Sequence, residues 1–81
     1  MMINEFIELL KNEFDFLEST PISSDSILYD TFGGSSLNLL FLRGIISEHF
    51  EVNLTDQEIK DCDTLNDLYK KLHSHLENKP S

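Results

Sequence analysis

At 81 residues, with 40% hydrophobic and 26% charged side chains and only three glycines and two prolines, the chain has the composition of one small folded domain, taken as 1–81 with an ordered core of about 2–77. A core of that size leaves little room for an elaborate catalytic cleft. Fifteen acids against six bases give a net charge of −9, the wrong sign for binding a nucleic-acid backbone, and no apolar run approaches the roughly 18 residues of a membrane span.

The single cysteine, Cys62, excludes an intrachain disulfide and fits a reducing compartment. Glu5 and Glu8 come early and no basic segment opens the chain, so no signal peptide is read. A cytoplasmic monomer without membrane insertion is expected.

In chain order, Ile3, Phe6, Ile7, Leu10, Phe14 and Leu17 recur at helical spacing, which predicts an amphipathic helix over residues 2–17. Residues 18–34 read as a long connection, because Pro21 blocks helix continuation and Ser23, Ser24, Asp25 and Ser26 are turn-prone. Ile27, Leu28, Tyr29 and Phe32 are too apolar for a free linker, so they are expected to pin this loop to the domain, with a short helical turn among them.

Residues 38–50 form the second predicted helix. At about 100° per residue, Leu39, Leu42, Ile46 and Phe50 share a core-facing stripe, whereas Leu37, Leu40, Phe41 and Gly44 share the opposite face. A surface helix needs only one apolar stripe. The second face either lies under the approach loop or is exposed to a partner; its start beside Ser36 favours partner docking.

Residues 51–54 make a short connector with Val52 and Leu54 turned inward. Thr55 and Glu58 have the spacing of a capping box, opening a helix of a turn or two that carries Ile59 and precedes Cys62. Thr64 and Asp67 repeat that cap before the stripe Leu65, Leu68, Tyr69, Leu72 and Leu76, and residues 78–81 are expected to fray.

Most chemistries are excluded by spacing. His73 and His75 fall on nearly opposite sides of a helix, His49 lies on another, and one cysteine gives no thiolate pair, so no metal is expected. Neither a P-loop nor an EF-hand loop is present. Gly33-Gly34-Ser35-Ser36 lacks the spacing of a nucleophile elbow and follows no strand, so the chain is not expected to be an enzyme. The stretch does offer serine hydroxyls at a helix amino terminus, where free amides and the helix dipole favour a phosphate ester. By spacing alone, either serine could equally be a plain N-cap.

Gly33-Gly34-Ser35-Ser36-Leu37, followed without a gap by Leu42, Ile46, Phe50, Val52 and Leu54, resembles the acyl and peptidyl carrier proteins. Tyr29 and Phe32 before the glycines, and Thr64 to Leu68 at the opening of the last helix, extend the resemblance over about residues 27–72. It implies an all-α, small four-helix bundle: three main helices, one short helix, and a long loop between the first two. It further implies that Ser36 carries a covalent 4′-phosphopantetheine arm, taken from coenzyme A by a phosphopantetheinyl transferase. An acyl, aminoacyl or peptidyl group would then be held as a thioester and passed between a loading enzyme and a downstream synthase or transferase. Leu37, Leu40, Phe41 and Gly44 fall where such carriers meet their enzymes.

Two features depart from the family pattern. Ser35 stands where Asp or His is usual, and Phe41 stands where fatty-acid-type carriers commonly have an acid. Residues 36–54 carry Arg43 against Glu48 and Glu51, while residues 1–35 carry seven acids against Lys11. Docking is therefore expected to be more apolar and less salt-sensitive than in fatty-acid carriers. The leading expectation is a free-standing carrier acting in trans. The alternative is a non-catalytic helical interaction module in which Gly33 to Ser36 form only a loop and cap. A regulatory domain phosphorylated in that stretch is more remote.

Overall fold

The computed structural model describes residues 2–78. Five α-helices follow in order: α1 (Ile3–Glu13), α2 (Leu28–Thr31), α3 (Ser36–Phe50), α4 (Asp56–Lys60) and α5 (Leu65–Asn78), with a 3-10 turn at Asp15–Leu17 after α1. The fold is all-α. α1, α3 and α5 are the long helices, α4 is the short fourth, and α2 is the helical turn within the long loop. Of the tail expected to fray, Asn78 closes α5 and residues 79–81 lie outside the described residues.

One apolar core joins the elements. Phe6, Leu10, Leu17, Leu28, Phe32, Leu42, Ile46, Leu65, Leu68 and Leu72 are fully buried. Among the described residues no polar or charged side chain is buried. Phe6 joins the three long helices: its ring lies 6.3 Å from Phe50 on α3 and 6.2 Å from Tyr69 on α5. Val52 and Leu54 turn inward as their alternation implied, and Leu39 and Phe50 pack partly buried against the core. Ile45, not assigned to the stripe from the sequence, packs there too.

The first helix is shorter than the periodicity over residues 2–17 predicts. It ends at Glu13 because Phe14 takes an extended backbone (φ −119°, ψ 105°), and the 3-10 turn follows. The stripe survives the break, since Phe14 and Leu17 remain buried. The break lets the Phe14 ring meet Phe32 edge-on at 5.0 Å, with Phe16 edge-on to both. Aromatic pairs in this geometry contribute about 0.5–1.5 kcal/mol beyond their buried area. They anchor the end of the long loop to the end of α1.

The middle of that loop is held by backbone pairing. Leu28 N–H donates to the Asp63 carbonyl at 2.8 Å, and Leu65 and Asn66 N–H donate to Ser26 and Ser24 carbonyls at 3.0 and 2.9 Å. Ile27 and Thr64 form an isolated antiparallel bridge. Of the four apolar loop residues, Leu28 and Phe32 enter the core, whereas Ile27 and Tyr29 stay about half exposed. The pinning expected of Ile27 thus comes from its backbone, not its side chain.

Both predicted caps form. Thr55 Oγ1 accepts from Glu58 N–H while the Glu58 carboxylate accepts from Thr55 N–H, both at 3.1 Å. Thr64 and Asp67 reproduce the arrangement at 3.2 Å. None of the described helices is long and apolar enough to cross a membrane.

Candidate functional site

Two consecutive glycines deliver the chain from α2 into α3. Gly33 (φ 70°) and Gly34 (φ 66°) are both left-handed, a conformation that costs other L-residues about 1–2 kcal/mol. Their amides close the turn onto Asp30 and Tyr29 carbonyls at 3.0 and 2.9 Å.

The next two serines have separate jobs. Ser35, extended at φ −103° and ψ 120°, is the N-cap: its Oγ accepts from Asn38 N–H at 3.3 Å. The helix therefore begins at Ser36 rather than at residue 38, because the cap organises one more half-turn than the apolar run reveals. Asn38 Nδ2 also donates to the Phe32 carbonyl at 3.1 Å, tying the helix start back to the loop. Ser36 is exposed, and among the described residues no hydrogen bond engages its hydroxyl. The first intrahelical bond runs from Leu39 N–H to the Ser35 carbonyl, leaving the amides of Ser36 and Leu37 without an intrahelical acceptor.

Two open hollows meet at Ser36. One, of about 380 Å³, runs between α3 and α4 past Leu37, Leu39, Leu40, Asp56, Ile59 and Lys60. The other, of about 340 Å³, runs toward the loop past Ile27, Leu28, Tyr29, Leu39, Ile59, Lys60, Cys62 and Asp63. Arg43 holds Asp56 at 2.6 Å and so ties α3 to the start of α4.

Beyond Ser36, Leu37, Leu40 and Phe41 are 58%, 50% and 55% exposed, and Gly44 is exposed beside them. The approach loop does not cover this face. The structure groups these four residues next to Ser36 on one side of α3.

The remaining reactive groups are dispersed. His49 meets Glu13 at 3.0 Å, His73 meets Glu77 at 3.1 Å and His75 meets Glu58 at 2.9 Å. Among the described residues no three metal-ligating side chains converge. The His75 contact and the Thr55 amide hold the Glu58 carboxyl below its ordinary value. Cys62 is buried, its Sγ–H donating to the Glu58 carbonyl at 3.2 Å, and burial pushes its thiol up, away from the reactive thiolate.

A family model described as a phosphopantetheine attachment site matches residues 4–72. The chain belongs to that family. It is a carrier domain, and its cofactor is covalently attached 4′-phosphopantetheine. No curated protein and no solved structure gives a match. The match runs from α1 into α5, so it takes in every element that shapes the carrier's core. Domains of this kind generally carry rather than catalyse. The residues around Ser36 would fit the group: an uncommitted hydroxyl, two free amides at a helix amino terminus suited to a phosphodiester, and two partly apolar hollows that share Ser36.

Sequence reasoning did not single out Asp56 or Lys60 as neighbours of Ser36. No spacing signal could have done so, since the inward turn of Val52 and Leu54 between the two helices sets how α4 lies against α3.

Proposed function

We propose that Ser36 is the attachment residue and that the chain holds an acyl, aminoacyl or peptidyl intermediate for partner enzymes. The observation that carries this is the division between the two serines: Ser35 is occupied as the cap, and Ser36 is exposed and uncommitted. In the loading step a phosphopantetheinyl transferase moves the phosphopantetheinyl group from coenzyme A to Ser36 Oγ. The serine loses its proton, and adenosine 3′,5′-bisphosphate leaves. When bound, the arm supplies a terminal thiol that forms thioesters.

The chain's own residues position that arm. Gly33 and Gly34 present the serine, the α3 amino terminus faces the phosphodiester, and Leu37, Leu40, Phe41 and Gly44 form the surface that meets the transferase, the loading enzyme and the downstream synthase. Exposure of large apolar side chains that the core does not use supports that assignment.

Intact mass after incubation with coenzyme A and a promiscuous phosphopantetheinyl transferase tests the reading. A single phosphopantetheine adduct is expected, retained in Ser35→Ala and absent in Ser36→Ala. An adduct that survives Ser36→Ala would move the site elsewhere. Absence of any adduct across several transferases would overturn the Ser36 assignment.

A further inference from the structure

Ser36, Leu39, Ile59 and Lys60 border both hollows: one hydroxyl, two apolar side chains and one cation. Lys60 is the last residue of α4, exposed, and among the described residues it makes no ion pair. Of the other cations near here, Arg43 is engaged by Asp56, and Lys71 acts on Cys62 but borders neither hollow. Acids also border the hollows, Asp56 on one and Asp63 on the other, in a chain of net charge −9. A phosphodiester on Ser36 adds a further negative charge to this setting. Lys60 is the cation placed to offset it.

We propose that Lys60 is the counter-ion of the phosphodiester on Ser36, holding the first part of the arm over Leu39 and Ile59, on the α4 side of α3. This rests on Ser36 as the attachment residue. The pairing would bias the arm toward the two hollows, along Leu37 and Leu40, and away from Phe41 and Gly44, leaving that end of the docking face clear for a partner while cargo is carried. Lys60 is thus a positioning residue. A purely local role, pairing across one turn with Asp56 or complementing the carboxyl end of α4, would operate identically with and without the arm. The two states therefore separate the possibilities.

The test compares ¹⁵N–¹H spectra of the unmodified and phosphopantetheinylated full chain, with modification verified by intact mass, for the natural sequence, Lys60→Gln and Lys60→Arg. In the natural sequence, modification should shift amides at residues 36–38 and, across the hollow, at residues 59–61. The α4 shifts should vanish in Lys60→Gln, persist in Lys60→Arg, and fade with added salt. Because Lys60 is exposed, the unmodified spectra of the variants should overlay that of the natural chain outside α4. Modified chain without α4 shifts, or α4 shifts unchanged in Lys60→Gln, would overturn this proposal alone. Absence of the adduct would overturn the Ser36 assignment and this proposal with it.

Discussion

Gly33 and Gly34 are the two residues whose identity the backbone itself dictates. A methyl at Gly33 would meet nothing within 4 Å, and at Gly34 it would approach the Tyr29 ring at 3.3 Å. That ring is half exposed and can swing aside, so the positive φ is the main penalty at both positions. Gly33→Ala and Gly34→Ala should each lose about 1–2 kcal/mol in urea unfolding; a stabilising effect from either would contradict the left-handed turn. Glu58 serves α4 and α5 at once, through Thr55 N–H and His75. Its carboxyl is held below the ordinary 4.5, so its contribution to stability is complete above that value and is lost as pH falls through the lower folded value. Glu58→Gln should therefore flatten part of the acid limb of stability against pH, measured by urea midpoints below pH 5. An unchanged acid limb would mean that the carboxylate contributes nothing.

At the scale of elements, α3 is unusual in being apolar on two faces. Leu42 and Ile46 account for the core face, where truncation to Ala typically costs 2–5 kcal/mol. Gly44 has no such account: it sits inside a 15-residue helix, is exposed, and a Cβ there would meet nothing within 4 Å. Internal packing gives no reason for glycine, which costs a helix interior about 1 kcal/mol relative to Ala. Gly44→Ala should accordingly raise stability by about 0.5–1 kcal/mol and Tm by several degrees. A loss of stability would reveal a backbone constraint at Gly44. On the docking reading, the glycine leaves room for close approach of a partner, so the stabilised variant should also be the poorer substrate for its loading enzyme.

For the molecule as a whole, charge and apolar surface are segregated. Most of the net negative charge comes from residues 1–35, where few bases offset the acids, whereas residues 36–54 are close to neutral and carry the exposed Leu37, Leu40 and Phe41. Recognition through that surface should depend on apolar contact. KM for the cognate loading enzyme should change less than about threefold between 0.1 M and 1 M salt, over which the Debye length falls from about 10 Å to about 3 Å. Phe41→Glu should raise it about tenfold or more, the equivalent of the 1.5–3 kcal/mol that burying a large apolar side chain yields, with helicity unchanged by circular dichroism. Steep salt dependence with an indifferent Phe41 would move docking to the acidic surfaces.

The sequence by itself determined where the helices lie to within a turn, most of their core stripes and the caps of α4 and α5, because periodicity and hydrogen-bonding side chains act within a turn or two. Thr55 with Glu58, Thr64 with Asp67, and the stripe of Leu65, Leu68 and Leu72 were all legible for that reason. It also brought out Ser36, though resemblance was needed to raise it; by spacing alone Ser36 was as readily a plain N-cap as a functional residue. Tertiary structure decided what depended on distant partners. The Phe14–Phe32 contact accompanies the early end of α1, and pairing of residues 24–28 with 63–66 fixed the loop that presents the glycines. The fold also assigned the cap to Ser35 and brought Lys60 to the same hollows as Ser36. These are contacts between segments far apart along the chain, and no local period encodes them.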